Sequence, residues 1–263
     1  MPRLTRMQLP VNHFKRALRG PRPLIGFWSS LASTAGTEIL GDAGLDWILI
    51  DTEHAPNELP AVADHLRALL PTATAPVVRP AWNDPVLIKR ILDVGAQTLL
   101  VPYVQSAEEA QRAVAATRFP PDGIRGVAAV HRSNRYGRVA DYFTRAAEEM
   151  CVIVQLETGV ALEALEAIAG VDGVDALFIG PSDLAANLGH IGDAGHPAVR
   201  GAIEDACRRA QALSIPIGIL APVEDDARAF LEMGFRFVAV GSDVVTLRQG
   251  VDRLVRKFKT SQT

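Results

Sequence analysis

Eight short apolar runs recur along this chain, each closed by Gly, Pro or a polar cluster and each followed by a longer segment with helical spacing. The runs are apolar at nearly every position, which is typical of strands buried on both faces of a parallel sheet. Eight strand–helix units in succession, without a break in composition, predict a single (β/α)8 barrel. The runs cover residues 24–28, 47–51, 75–79, 98–102, 151–157, 176–180, 216–221 and 237–241.

The segments between the runs predict one helix per unit, and a short capped helix within residues 12–20 precedes the first run. An open, doubly wound sheet is the alternative, but its first turn is usually glycine-rich, and SSLASTAG here is not. We therefore expect a loose tail at residues 1–10 and one barrel domain at residues 11–263. The predicted helices of the eight units are 37–43, 58–69, 85–94, 107–117, 160–168, 197–213, 224–233 and 244–258.

The longest connection, residues 119–136, lies between the fourth and fifth strands and is rich in Gly, Pro and Arg. Connections of this length in a compact domain are commonly functional or disordered. We expect this one to lie on the catalytic face of the barrel, where it would serve as a lid.

The charge balance is nearly even, with 27 basic and 30 acidic residues and a net charge of −3, which argues against nucleic acid or an anionic membrane as partner. No apolar run approaches the roughly 20 residues that span a bilayer. Cys151 and Cys207 match neither a disulfide framework nor a zinc spacing, which fits a reducing compartment. We expect a cytoplasmic protein with a small-molecule partner.

The chemistry of a barrel collects where its strands end, and two carboxylates, Glu157 and Asp183, end the fifth and sixth runs. Neighbouring carboxylates in a half-dry pocket repel unless a cation lies between them, and oxygen ligands without Cys or His suit Mg²⁺ or Mn²⁺. The alternative is that each carboxylate caps a helix or forms an ion pair. Ser182 stands where a short helix would start, either as its N-cap or with free amides beside it that bind a carboxylate.

Arg79 ends the third run, and His54 follows the second run together with Asp51 and Glu53. A guanidinium here can stabilise negative charge on a substrate oxygen, or it can bridge the rim acids structurally. A histidine beside two acids in a pocket is a candidate base, although a lone histidine is more often structural. The sequence assigns no role to His13, His65, His131, His190 or His196.

Several segments, in the same order, resemble the metal-dependent 2-oxo acid aldolases of the HpcH/HpaI family. The resemblance covers nearly all of residues 14–258 and implies a class II aldolase that cleaves a 4-hydroxy-2-oxo acid, such as 4-hydroxy-2-oxoheptanedioate, to pyruvate and an aldehyde. The segments are DTEHAPN, PVVRPAWNDP, LDVGAQTLLVPYVQ, RFPPDGIRGV, VQLET, GVDALFIGPSDLAANLG and FVAVGSD.

The resemblance also implies a metal site and a pyruvate site. Glu157 and Asp183 would bind a divalent ion (Mg²⁺, Mn²⁺ or Co²⁺), which pyruvate chelates through its keto and carboxylate oxygens. Gln155 and the amides of Ser182 and Asp183 would help to hold pyruvate, and Arg79 would stabilise the enolate. We expect the aldehyde side to be shaped by Trp28, Leu220 and the loop at 131–136.

In the same resemblance, His54 is the general base and Asp93 raises its basicity. Asp93 ends the third predicted helix of the units, which returns to the bottom of the barrel, away from the rim. We therefore expect Asp93 to reach His54 from a neighbouring subunit. The family pattern further implies a homo-oligomer, a hexamer built as a trimer of dimers, with the C-terminal helix exchanged between subunits.

Two other functions stay open at this point. One is an isomerase of phosphate esters that uses GILAP and VAVGSD as a phosphate cradle, although it leaves Glu157 and Asp183 without a role. The other is a protein that binds a 2-oxo acid without turnover, which would not need His54 and Arg79. Imine chemistry is disfavoured, because none of the four lysines ends a strand: Lys15, Lys89, Lys257 and Lys259.

Overall fold

The computed structural model describes residues 7–259, and its eight strands form a closed parallel barrel in chain order. The last strand pairs with the first, and this pairing closes the sheet. The architecture is the single (β/α)8 barrel that the sequence predicts. Among the helices of residues 7–259, none combines the length and the hydropathy needed to cross a bilayer.

The strands occur where the apolar runs predict them. They are β1 (Leu24–Ser29), β2 (Trp47–Asp51), β3 (Ala75–Arg79), β4 (Thr98–Val101), β5 (Cys151–Leu156), β6 (Ala176–Ile179), β7 (Ile217–Leu220) and β8 (Phe237–Ser242). The helices are α1 (His13–Ala17), α2 (Thr34–Gly41), α3 (Leu59–Ala68), α4 (Pro85–Asp93), α5 (Ala107–Thr117), α6 (Tyr142–Arg145), α7 (Gly159–Glu163), α8 (Leu165–Ala169), α9 (Pro181–Asn187), α10 (Pro197–Ala212), α11 (Glu224–Met233) and α12 (Asp243–Lys259), and a 3₁₀ helix (Ala146–Glu149) precedes β5.

One segment that the sequence predicts as a single helix forms two helices in the structure. The segment 160–168 forms two short helices, α7 and α8, because the backbone at Ala164 has a ψ of 7° and leaves the regular helical conformation. All other predicted helices are present, with ends shifted by at most a few residues.

Side chains alternate along each strand and divide the core into two layers. Leu49, Val77 and Phe178 belong to the cluster that fills the barrel, whereas Ile50 and Val78 belong to the cluster beneath the helices. The last inward position of a strand therefore points at the carboxyl-terminal opening. Polar or aromatic side chains occupy this position in five strands: Trp28, Asp51, Arg79, Gln155 and Phe178.

Helix α1 closes the opposite, amino-terminal end of the barrel. Asn12 caps the helix by accepting a hydrogen bond from the Lys15 amide. The ring of Phe14, which is 2% exposed, packs edge-on against Trp47 and Phe237, with centroids 5.9 Å and 5.7 Å away. Since both partners stand at the beginnings of strands, Phe14 plugs the bottom of the barrel.

Residues 1–6 of the predicted loose tail lie outside the described residues. Leu9 is buried in a small cluster with Val139 and Tyr142. The carbonyl of Pro10 accepts a hydrogen bond of 2.6 Å from the Gln97 side chain. The chain is thus attached to the bottom of the barrel before α1 begins.

The long connection at 119–136 also lies at the bottom, so its predicted place on the catalytic face is wrong. It follows α5 and leads into β5, and a helix-to-strand connection returns to the end where strands begin. Ser133 Oγ donates to the Asp93 carbonyl at the end of α4, and Arg132 donates to the Val94 carbonyl. The segment 131–136 therefore does not shape the aldehyde side within its own chain.

Two glycines test this packing. A Cβ on Gly26, which faces the barrel interior, would overlap the Trp47 ring, whereas a Cβ on Gly201 in α10 would meet nothing. Gly26→Ala should therefore lower the free energy of unfolding by about 2–3 kcal/mol or more, the usual effect of overpacking a core. Gly201→Ala should raise it by up to about 1 kcal/mol through helix propensity. Chemical denaturation measures both, and an unchanged stability of Gly26→Ala would contradict the packing described.

Candidate active site

Polar side chains from several strands converge on a cavity of about 180 Å³ at the carboxyl-terminal opening. Glu157 lies next to it, in contact with Gln155. Asp93 lies at the other end of the barrel. Seven of the nine residues that the sequence predicts for the site line the cavity: Trp28, His54, Arg79, Gln155, Ser182, Asp183 and Leu220.

The Arg79 guanidinium is buried between two carboxylates. Its Nε and Nη2 donate to the two oxygens of Asp51 at 2.9 Å and 2.7 Å, and its Nη1 lies 2.9 Å from Glu53 Oε2. Trp28 packs on the same group, with the guanidinium carbon 5.2 Å from the ring centroid. Of the five N–H bonds of the guanidinium, two remain available to another ligand. The structural bridge predicted for Arg79 is present, and it leaves the substrate role open.

The two acids respond to this arrangement in opposite ways. Burial raises the pKa of Asp51, but the hydrogen bonds and the charge of Arg79 outweigh it and hold the pKa below its usual value. For Glu53, burial prevails and raises the pKa, assisted by the charges of Asp51 and Asp183 and opposed by Arg79. The single cation therefore neutralises one acid fully and the other only in part.

Glu157 is buried at the end of β5 with a pKa raised to about 8. Burial is the largest cause, and the charges of Asp183 and Glu53 add to it, whereas a hydrogen bond from the Tyr103 amide lowers the pKa. Glu157 Oε1 accepts a 2.5 Å hydrogen bond from Gln155 Nε2. A buried carboxylate held near other acids in this way lacks a compensating positive charge.

Gly180 lets the side chains of Glu157 and Gln155 pack directly against its backbone. It follows β6, which pairs with β5, and a Cβ at this position would come within 2.5 Å of Glu157 Oε1 and 2.8 Å of Gln155 Nε2. Gln155 Oε1 is buried and accepts no hydrogen bond from the residues that the structure describes. This oxygen therefore has unused acceptor capacity for a small ligand.

His54 stands on the loop between β2 and α3, and its side chain is 65% exposed. Its Nε2 lies 3.8 Å from Glu53 Oε2. The amides of Glu53 and His54 both point at Asp51 Oδ1, 3.0 Å and 3.4 Å away. The backbone of the loop, more than contacts of the ring, therefore sets the position of His54.

Asp93 does not meet His54 within the chain, as its predicted place at the bottom of the barrel implies; its carboxylate forms a 2.8 Å ion pair with Arg125. One sequence interpretation differs from this geometry. Ser182 is not the N-cap of α9, because Gly180 holds that position and Pro181 and Ser182 lie inside the first turn.

Phe178 and Tyr103 are site residues that the sequence interpretation missed. The two-residue period of β6 would have placed Phe178 inward, beneath Trp28, where the ring centroids lie 5.8 Å apart. Tyr103 offers no comparable signal, since its amide reaches Glu157 through an unusual backbone φ of 55°.

Comparison with known proteins decides the family. The model of the HpcH/HpaI aldolase/citrate lyase family matches residues 24–250. The chain belongs to this family.

Relatives of known name agree with this membership. The chain is 53% identical to a 4-hydroxy-2-oxo-heptane-1,7-dioate aldolase of Klebsiella pneumoniae, over 96% of each chain. It is 51% identical to a 5-keto-4-deoxy-D-glucarate aldolase of Salmonella arizonae, over 94% of this chain and 97% of that one. A crystal structure of an HpcH/HpaI family protein from Burkholderia cenocepacia has 41% identity and a TM-score of 0.92, over 95% of this chain and all of that one. The protein is therefore an enzyme, a carbon–carbon lyase of the aldolase type.

The raised pKa of Glu157 predicts how the stability of this HpcH/HpaI family member depends on pH without metal. Folded Glu157 holds its proton up to a pH of about 8, whereas unfolded glutamate releases it near about 4.3. The contribution of this group to the free energy of unfolding should therefore be largest at low pH. It should decrease as the pH rises between these two pKa values, because the unfolded state then releases its proton first. Glu157→Gln, which cannot ionise, should flatten the profile. Chemical denaturation in EDTA from about pH 5 to about pH 8.5 measures the free energy of unfolding of both proteins. An equal dependence on pH in wild type and Glu157→Gln would contradict the raised pKa of Glu157.

Proposed function

We propose that this protein is a class II, pyruvate-forming aldolase that cleaves 4-hydroxy-2-oxo acids. The observation that carries the proposal is the acid pair at the rim: Glu157, buried with a raised pKa, faces Asp183 on the neighbouring strand unit, beside the buried Arg79. This arrangement provides a place for a divalent cation and for the negative charge of an enolate.

The residues at the rim fit a divalent metal ion. Mg²⁺ and Mn²⁺ commonly take one or two protein carboxylates and leave positions for water and substrate oxygens. Glu157 and Asp183 would supply the carboxylates, and Gly180, by lacking a Cβ, lets Glu157 approach the start of α9, which carries Asp183. The two carboxylates alone do not form a dense protein cage, and the described residues contain no group of three or more metal-ligating side chains. The substrate would then complete the coordination.

When bound, such an ion polarises the 2-oxo group of the substrate and offsets the negative charge that forms on it. His54 accepts the proton of the 4-hydroxyl group, and the C3–C4 bond breaks. The electron pair of that bond stays with C3 as an enolate, which the two free N–H bonds of Arg79 stabilise. Protonation at C3 gives pyruvate, and C4 leaves as the aldehyde carbon.

The relatives narrow the substrate class. The names of the Klebsiella and Salmonella enzymes both describe a 2-oxo acid with CH₂ at C3, a hydroxyl at C4 and a second carboxylate, when carbons are counted from the oxo end. Cleavage gives pyruvate in both cases, with succinic semialdehyde from the first and 2-hydroxy-3-oxopropanoate from the second. We propose the shared class, 4-hydroxy-2-oxo dicarboxylates, with Trp28 and Leu220 beside the aldehyde end.

The phosphate-ester alternative is disfavoured by Asp243, which follows β8. Its carboxylate accepts hydrogen bonds of about 3 Å from the amides of Ser30 and Leu31 and one from Val244. The VAVGSD segment of the presumed cradle thus ends in a fixed negative charge, which would repel a phosphate group.

Pyruvate release from both dicarboxylates, followed in EDTA and after metal addition, tests the proposed function. EDTA should abolish release, and Mg²⁺, Mn²⁺ or Co²⁺ should restore it. Glu157→Gln should lower kcat by at least about 100-fold, because it removes a charged ligand from the site. Full turnover in EDTA, with metal content verified as negligible, would contradict the mechanism.

We also propose that the enzyme is a homo-oligomer in which Asp93 acts on His54 of a neighbouring chain. The two residues lie at opposite ends of one barrel, so a single chain cannot bring them together. The C-terminal helix α12 carries an apolar stripe that is largely exposed, as expected of a helix that packs on another subunit. The stripe comprises Val244, Leu247, Val251, Leu254 and Phe258.

Mixed oligomers test this arrangement. His54→Ala and Asp93→Asn should each be impaired alone, whereas their mixture should recover up to about a quarter of wild-type activity, since random assembly restores that share of sites. Light scattering of the mixture verifies that oligomers form. Absence of recovery in verified mixed oligomers would show that Asp93 does not act on His54 of a neighbouring chain.

Buried, unpaired Cys151 and Cys207 fit a reducing compartment, and we propose a cytoplasmic location.

A further inference from the structure

Four buried polar side chains and the backbone carbonyl of the buried residue Asp51 form a continuous chain of hydrogen bonds behind the active-site rim. They connect the ends of β1 and β2 with helices α2 and α3, and they include His65, which the mechanism above does not use. His65 Nδ1 lies 2.7 Å from Thr37 Oγ1, and His65 Nε2 lies 2.9 Å from Asn57 Oδ1. Members with their exposure are Ser29 (1%), Thr37 (0%), Asp51 (1%), Asn57 (3%) and His65 (0%).

The direction of every bond follows from Asn57. Its Nδ2 donates to the carbonyls of Asp51 at 2.8 Å and Ser29 at 3.3 Å, which can only accept. Its Oδ1 must therefore accept from His65, and Nε2 of that ring carries the hydrogen. With a neutral ring, Nδ1 is bare and accepts from the Thr37 hydroxyl, whose oxygen lies 3.4 Å from Ser29 Oγ.

The surroundings favour this neutral ring. Burial lowers the pKa of His65, and the charges of Asp64 and Asp243 oppose it without reversing the shift. In the neutral tautomer with hydrogen on Nε2, both ring nitrogens have a partner, since Nε2 donates to Asn57 and Nδ1 accepts from Thr37.

The rim loop, defined as residues 52–57, is fixed by the Asp51 carboxylate at its start and by the network of His65 at its end. At its start, Asp51 Oδ1 receives the amides of Glu53 and His54. At its end, Asn57 ties the loop back to the carbonyls where β1 and β2 end. Since the ring of His54 is mostly exposed, its position depends on the backbone between these two anchors.

We propose that His65 is a positioning residue for catalysis: by orienting the Asn57 amide, it holds the rim loop so that His54 reaches the 4-hydroxyl group. This inference rests on the proposed aldolase function. His65 touches neither the substrate nor the metal ligands. Its loss should affect proton transfer at His54 and leave the pyruvate half of the site, built on β5 and β6, unchanged.

A pair of substitutions separates positioning from bulk packing. His65→Leu fills similar space but leaves Asn57 Oδ1 and Thr37 without a partner. His65→Gln can donate to Asn57 through its NH₂ group and accept from Thr37 through its oxygen. Ile203→Ala, in the buried face of α10 far from the rim loop, serves as a control for general loss of stability.

With 4-hydroxy-2-oxoheptanedioate as substrate, His65→Leu should lower kcat between about 10- and 100-fold, the range that a misplaced catalytic group produces. The inhibition constant of pyruvate should stay within about twofold, and His65→Gln should restore most of kcat. Hydrogen–deuterium exchange should accelerate over residues 51–58 in His65→Leu but not in His65→Gln. Ile203→Ala should lose stability with kcat per folded enzyme unchanged.

The inference is overturned if His65→Leu keeps wild-type kcat, if pyruvate inhibition weakens in parallel with kcat, or if exchange over residues 51–58 stays slow. If the wild-type enzyme releases no pyruvate from either dicarboxylate, the proposed function fails, and the exchange measurement alone then decides whether His65 holds the rim loop.

Discussion

The buried guanidinium of Arg79 is the interaction on which the rim depends. Charged groups leave water only when they are paired, and Arg79 pairs with Asp51 through two parallel hydrogen bonds and with Glu53 through a third contact. Asp51 in turn holds the amides that begin the rim loop. Removal of this one cation would leave two buried acids unpaired and release the segment that carries His54.

On the other side of the opening, the acidic groups lack a full set of positively charged partners. Arg79 lowers the pKa of Glu157 only slightly compared with the effect of burial, and Asp183 and Glu53 raise it further. Without metal, a proton on Glu157 can offset this excess of negative charge. A bound divalent ion would offset more of it, because it carries two positive charges. On the wall formed by β2 and β3, Arg79 thus compensates the charge of Asp51 within the chain, whereas the wall formed by β5 and β6 keeps a deficit of positive charge that the proposed metal ion would supply.

The sequence predicts the barrel well because each strand is a run of apolar residues. The strands also pair in the order in which they occur along the chain, so the order of the runs is sufficient to predict the sheet. It also predicts the rim residues, since the last inward position of each strand is read directly from the run. The predicted position of the connection at 119–136 is wrong because it assumes a loop from a strand to a helix. In the structure α5 precedes this connection, which therefore leads from a helix to a strand. Tyr103 and the network of His65 could not be predicted, because a left-handed backbone and the packing of α2 against α3 depend on three-dimensional contacts.

The plug formed by Phe14 has a consequence for the order of events in the site. With Trp47 and Phe237 packed around it, the barrel is a tube closed at its base, and small molecules enter and leave through a single mouth. Both products of the proposed cleavage leave through this mouth, so the product that lies nearer to it departs first. In carbon–carbon bond formation the same molecule binds second, because its partner must already lie beneath it.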